Sequence, residues 1–341
     1  MAAFFNILVI RGGALGDFIL TLPALYALRK SFPAAHIELM ANPSFLPLSR
    51  KYIDRGEGID KNGIWNFFTE NGELPEELKN YFHSFKLIIL LRPDKEGCFR
   101  ENLKSSGVQK IVYHNPASPC LKHTGTRINN KHFSIQIMDS LSPLGVTAMR
   151  GHPPNNRIVA RGFIPRFQPT IKVGATYTAN GYKPEIDFTD EDIKFAEEFL
   201  PSCERGIVAI HPGSGSEKKN WMVERFAEVA KILSKKGFKI ILISGPADKN
   251  TKKRFLKLTD FTPVLAENLS IMKLASVIKR CDYYIGNDSG VTHLSALTGV
   301  KTIALYGPTD PAVWSPIGKK VTVIKRDCLE NVSVKDVLLH L

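Results

Sequence analysis

The sequence predicts an α/β protein built from two doubly wound, Rossmann-like domains, and three observations carry that prediction. Apolar runs of strand length alternate with helix-periodic segments through the first half of the chain, and the same alternation restarts in the second half. Between the halves lies a stretch rich in Pro, Gly, Asn and Arg with little periodicity. At 341 residues the chain can house two domains with a core each and is short for three.

In chain order, a strand is expected at Phe5–Ile10, a helix over Gly16–Ser31 and a strand at His36–Ala41. A helix at Pro75–Ser84 and strands at Lys86–Leu91 and Val108–Tyr113 follow. Strands separated by helices make βαβ units, so the sheet is parallel. A helix over His132–Leu144 then stops at Gly145, because glycine accepts the left-handed conformation that ends a helix. The aperiodic stretch, with His152-Pro153-Pro154-Asn155-Asn156 within it, reads as an interdomain connection at about 151–190. It separates domains over 1–165 and 166–341. Thr189 or a neighbouring Asp caps a helix over Glu191–Leu200. The second alternation runs through a strand at Ile207–His211, a helix at Met222–Lys236, a strand at Lys239–Ser244 and a helix at Ser270–Lys279. It ends with strand Tyr283–Gly286, helix Val291–Thr298 and strand Thr302–Tyr306. Two such sheets are expected to face one another across a central cleft.

Composition narrows the function classes. A hydrophobic fraction of 43% with 23% charged residues is that of a soluble globular protein. The longest apolar runs, such as Leu87–Leu91 and Ile240–Ile243, are far short of the roughly 20 residues needed to cross a bilayer. No cationic segment precedes the first apolar run, so no signal peptide is expected. Five scattered cysteines without a CxxC pair predict neither a disulfide framework nor a zinc site, which suits a reducing cytoplasm. A formal charge of +13 calls for an acidic partner: a nucleotide diphosphate, a phosphorylated glycolipid or glycan, or an anionic membrane surface. No nucleic-acid-binding module is present and the basic residues are spread along the chain, so nucleic acid is not an expected partner.

Three strand-to-helix loops carry the chemistry. Arg11-Gly12-Gly13-Ala14-Leu15-Gly16-Asp17 lies where open α/β sheets bind ligands, yet its glycine spacing departs from the dinucleotide fingerprint and no acid ends the second strand. Asp17 is its only acid; it could accept a proton from an attacking hydroxyl, although Asp at a helix start is ordinarily a cap. In His211-Pro212-Gly213-Ser214-Gly215-Ser216-Glu217-Lys218-Lys219-Asn220-Trp221, glycines let the backbone approach an anion, and Lys219 or Lys218 can neutralise it. Trp221 reads as a packing anchor. Asp288, Ser289 and Gly290 open a helix whose free N–H groups suit phosphate, and His293 lies on the same helix face as Ser289. Asp248, after Ser244-Gly245-Pro246, could hold ribose hydroxyls. No H-x-x-x-H, H-E-x-x-H or D-x-D spacing predicts a metal, and no G-x-S-x-G elbow predicts a hydrolase.

Taken together, the segments Ile7–Leu25, Ile210–Trp221 and Tyr284–Pro308 resemble glycosyltransferase family nine, the heptosyltransferases of lipopolysaccharide inner-core assembly. The resemblance spans most of the chain in the family order and is weakest over Asn62–Gly181. It implies a GT-B fold and inverting, metal-independent transfer of a heptose from ADP-heptose, with no cofactor, to a phosphorylated glycolipid or glycan. In this reading Asp17 is the general base and Lys219 neutralises the leaving diphosphate. Ser214, Lys219, Asp248, Asp288, Ser289, Gly290 and His293 bind the donor, while Arg11, Gly12, Gly13 and Gly16 form the acceptor-side loop. Asp248 stands where the family's well-known members carry Glu on the ribose, one methylene shorter. The implied location is cytoplasmic, peripheral on the inner face of the membrane. The rival readings are a non-catalytic nucleotide-sugar or glycan-binding protein and a nucleotide-sugar epimerase on the same fold.

Overall fold

The computed structural model describes residues 5–60, 64–70, 74–114, 131–146, 182, 185–200 and 202–341. The chain divides into two compact units, Met1–Met149 and Arg150–Leu341. Most of the connection expected at 151–190 lies outside the described residues.

The first unit runs β1 (Asn6–Arg11), α1 (Leu15–Ile19), α2 (Leu22–Ser31), β2 (His36–Ala41) and β3 (Arg55–Gly58), then α3 (Glu76–His83), β4 (Leu87–Leu91), α4 (Cys98–Ser105), β5 (Ile111–Tyr113) and α5 (Phe133–Ser140). All strands pair in parallel, in the order β3-β2-β1-β4-β5. Every residue of β4 is buried, as a central parallel strand covered on both faces requires. The single helix expected over Gly16–Ser31 is two, separated at Leu20-Thr21. Pro23 lacks an N–H and fits only the first turn of α2, so the chain restarts there. The helix expected over His132–Leu144 ends at Ser140, and a tight turn carries it to Gly145 at φ +74°. Strand β3 carries no clear apolar period: it is Arg-Gly-Glu-Gly, held at the sheet edge by pairing with β2.

One face of this sheet packs Phe67, Phe82 and Phe99, all fully buried, with Phe67 and Phe82 edge to face at 4.8 Å. Truncating a ring there removes apolar burial and leaves a cavity. Phe82→Ala is expected to destabilise the protein by about 3–5 kcal/mol, read as a lowered denaturant midpoint.

The second unit runs α6 (Asp190–Phe199), β6 (Ile207–His211), α7 (Val223–Lys235), β7 (Lys239–Ser244), α8 (Lys249–Leu258), β8 (Val264–Glu267) and α9 (Ile271–Lys279). It continues with β9 (Tyr283–Asn287), α10 (Gly290–Thr298), β10 (Lys301–Tyr306), α11 (Pro311–Trp314), β11 (Val321–Lys325) and α12 (Val334–Leu338). Thr189 caps α6 by accepting from the Asp192 N–H, and Asp192 answers the Thr189 N–H, a reciprocal cap. The parallel strand order is β11-β10-β9-β6-β7-β8. The order reverses between β6 and β9 here, and between β1 and β4 in the first unit. These switch points open a crevice beyond the carboxyl ends of the strands. Among the described residues no helix is long and apolar enough to cross a membrane.

Candidate active site

All three loops singled out in the sequence leave the carboxyl ends of switch-point strands: one follows β1, one β6, one β9. In the first unit, Arg11 ends β1 and is 2% exposed. Its Nε donates to Thr21 Oγ1 at 2.9 Å and its Nη1 to the Leu91 carbonyl at 2.7 Å, across to β4. The remaining arm, Nη2, has no hydrogen-bond partner and lies 3.8 Å from Asp17 Oδ1. Burial lowers this guanidinium to about 10, with Asp17 opposing the fall, so it stays a cation at neutral pH. Asp17 takes the capping position weighed for it. Its Oδ2 accepts from the Ala14 N–H at 3.1 Å, capping α1, while Oδ1 keeps its place beside Arg11 on a side chain one-third exposed. Gly13 makes the turn possible: its φ is +104°, and a Cβ there would come within 2.8 Å of Asp17 Oδ2. Gly12 precedes it, and Gly16 falls inside α1.

Two further groups missed by sequence reasoning stand at the same sheet edge. Arg92 follows β4, stacks 3.9 Å over the Phe68 ring, and has a buried Nε without a partner. His114 follows β5 and has a buried, unpartnered Nε2. A strand-end His or Arg carries no local sequence signal for this; parallel pairing of β1, β4 and β5 brings them near Arg11. Burial first, and then Arg11, lower the His114 imidazole to about 4. With an ordinary value near 6.5 in the unfolded chain, the unfolded state binds the extra proton between those limits. The stability His114 contributes is therefore present above about pH 6.5 and lost as pH falls toward the folded value. His114→Phe is expected to flatten the wild-type loss of thermal midpoint across that window.

In the second unit the β6 and β9 loops form one polar cluster. Asn287, fully buried at the end of β9, donates to the Pro212 carbonyl at 2.9 Å and accepts from the Trp221 N–H at 2.9 Å. One side chain thus pins both ends of the glycine-rich loop. Trp221 is an anchor as expected, 1% exposed, with Nε1 donating to the Val332 carbonyl and its ring edge-on to Phe226. Lys219 Nζ donates to Asp288 Oδ2 at 2.7 Å, uniting two predicted residues from different loops. Ser289 caps α10, accepting from Thr292 N–H, so the Gly290 and Val291 amides begin the helix outside its own ladder. His293 lies buried one turn later, its N–H on the Ser289 carbonyl.

Two predicted donor residues are occupied otherwise. Ser214 turns into its own loop, donating to the Ser216 carbonyl at 2.7 Å. Asp248 is 8% exposed and faces inward: Oδ2 accepts from the Gly245 N–H at 2.8 Å and lies 3.1 Å from His211 Nε2. Burial opposes its ionisation, but the His211 and Gly245 hydrogen bonds outweigh that and hold the carboxyl below its usual range. Its other oxygen would sit 1.9 Å from a Cβ on Gly213, so that glycine is required by close approach. Gly213→Ala is expected to displace Asp248 and the loop, weakening nucleotide affinity more than tenfold in a calorimetric titration. Lys218 shares a short turn with Lys219, but among the described bonds only Lys219 reaches the cluster. No group of three or more His, Cys, Asp or Glu side chains able to hold a metal occurs among the described residues.

Two parallel doubly wound sheets, one in each compact unit, are the fold of the GT-B class. Residues 154–340 match the sequence model of Glycosyltransferase family 9 (heptosyltransferase), and the chain belongs to that family. Lipopolysaccharide heptosyltransferase 3 of Escherichia coli is 23% identical over 325 residues, covering 88% of this chain and 83% of that one. For several other curated relatives the aligned stretch is shorter: the lipopolysaccharide core heptosyltransferase OpsX of Haemophilus influenzae is 28% identical over 145 residues, 42% of this chain and 42% of the relative. Among solved structures, a family 9 glycosyl transferase from Veillonella parvula superposes with a TM-score of 0.74 at 22% identity, covering 99% of this chain and 96% of that one. The E. coli heptosyltransferase WaaC with ADP gives a TM-score of 0.63 at 18% identity, covering 98% of each chain. Both share the fold.

Proposed function

We propose that this chain transfers a heptose from ADP-heptose, with inversion and without a bound metal, to a hydroxyl of a phosphorylated glycolipid or glycan in lipopolysaccharide core assembly. The observation that carries the reading is the Lys219–Asp288 pair beside the open amides of α10, at the switch point of the second sheet. Those groups suit a diphosphate that gains charge as its bond to the sugar breaks. Asp17 Oδ1 takes the proton of the acceptor hydroxyl, whose oxygen attacks the anomeric carbon as the diphosphate leaves with the bonding pair. The unpartnered Arg11, Arg92 and His114 nitrogens suit an acceptor carrying anionic groups. Adenine is chosen because the fold neighbour from E. coli was solved with ADP. Work at the inner face of the cytoplasmic membrane suits both an amphiphilic acceptor and the +13 charge.

Calorimetric titration with ADP, UDP, GDP and NAD, with and without EDTA, tests the reading. Selective, EDTA-insensitive ADP binding is the expected result. A preference for UDP or GDP discards the heptose donor, and sensitivity to EDTA discards metal independence. Binding of no nucleotide favours the non-catalytic alternative.

A further inference from the structure

The ten residues of α8 include Lys249, Lys252, Lys253, Arg254 and Lys257 and no acid. Helices α3, α4, α6 and α7 each carry acids, among them Glu76, Glu101, Glu191 and Glu224. Two cations of α8 are matched within the fold: Lys252 pairs with Glu267 of β8, and Arg254 with Glu224 of α7. Lys249, Lys253 and Lys257 are exposed and have no ion-pair partner among the described residues. The acids nearest in sequence do not serve them. Asp248 turns inward to the Gly245 N–H and His211, and Asp260 makes no ion pair among the described residues.

The three unmatched lysines are four residues apart, so they stand in one row along the helix, about 12 Å long at a rise of about 1.5 Å per residue. At about 100° per residue, Lys253 lies nearly opposite Phe255, the residue that α8 buries in the core of the second unit. The row therefore faces out. Like charges at this spacing repel one another, and at an exposed row no packing offsets that. Leu258, 36% exposed, adds an apolar side chain in the last turn, beside the row.

We infer that α8 is the surface by which the second unit docks on an anionic phospholipid membrane, with Lys249, Lys253 and Lys257 on the headgroup phosphates and Leu258 at the acyl boundary. The inference rests on the reading above that the enzyme works at a membrane, and it names the face. A phospholipid surface spreads its charge over a plane, which an outward row of flexible lysines matches. A small anion needs converging donors in a concave site, and the row has none. It also holds no arginine fork and no aromatic face with which to read nucleic acid. A basic row with an apolar residue at its edge is the pattern of a helix that lies on a membrane interface.

The test is co-sedimentation of the full chain with sucrose-loaded vesicles of phosphatidylcholine alone and of phosphatidylcholine mixed equally with phosphatidylglycerol. The wild type is expected to bind only the mixed vesicles and to release them as salt rises. Lys249→Gln, Lys253→Gln and Lys257→Gln together are expected to weaken that binding about 100-fold, at roughly fivefold per lysine, with helix propensity kept. Removing the same charge at exposed lysines of other elements, by Lys86→Gln, Lys110→Gln and Lys319→Gln, is expected to weaken it less than about threefold. Equal losses in the two triple variants overturn the inference and leave the membrane reading standing. A wild type that binds neither kind of vesicle sinks both. Equal binding to both kinds overturns docking by charge. Should the α8 triple variant not fold, Lys253→Glu against Lys110→Glu decides by the same comparison. An α8 variant that loses affinity for a DNA duplex while keeping its vesicle binding overturns the inference in favour of nucleic acid.

Discussion

Asp17→Asn is expected to lower kcat for sugar transfer by about 10²–10⁴-fold, the contribution typical of a general base, while ADP affinity stays within about twofold of wild type. The amide keeps an oxygen for the Ala14 N–H, so the cap on α1 survives. What disappears is the second oxygen, the one 3.8 Å from Arg11 Nη2, which is the proposed acceptor of the hydroxyl proton. ADP affinity is expected to hold because the residues proposed to bind the donor lie on the loops after β6 and β9. Initial-rate kinetics beside an ADP titration checks both halves. Near-normal turnover would leave Asp17 as a cap and nothing more.

Lys219→Met is expected to act on both binding and turnover: ADP affinity falls at least about tenfold and kcat a further 10²–10³-fold, roughly the loss on removing one transition-state charge partner. The geometry makes the binding loss larger than deletion of a solvated lysine would. Asp288 is 6% exposed and has Lys219 Nζ at 2.7 Å, so the variant leaves a buried carboxylate facing the incoming diphosphate. The double variant Lys219→Met with Asp288→Asn removes that repulsion. It is expected to recover ADP affinity relative to the single variant without recovering kcat. Equal ADP affinity in the single variant and wild type would take Lys219 out of the site.

Much of the fold was legible because most elements write their burial into a local period. The central strands β1, β4, β6, β7 and β10 are apolar runs of strand length, since both faces of a parallel sheet are covered. Elements at or near the edges were not legible: β3 is Arg-Gly-Glu-Gly, and α8 is Lys-Asn-Thr-Lys-Lys-Arg-Phe-Leu-Lys-Leu with Phe255 alone buried. Their conformation is held by a neighbour, β2 for the first and α7 and β7 for the second. In the site, the loops bearing Asp17 and Lys219 could be found from their glycines at strand-to-helix junctions, and the choice of Lys219 over Lys218 came from the family resemblance. Asn287 could not: its function is to pin a loop more than 60 residues away, and no spacing within its own segment records that.

By itself the sequence determined two doubly wound sheets and the places of the three strand-to-helix loops. Periodicity and glycine placement are local properties, and they suffice for that. Only the tertiary structure decided the pairings: Lys219 with Asp288, Arg11 with Asp17, and Asp248 turned inward to His211 instead of open to a ribose. Those contacts join residues from separate loops and strand ends. Which carboxylate meets which cation is set by strand order and burial, because an ionised group in a crevice must find its partner wherever the sheet brings one.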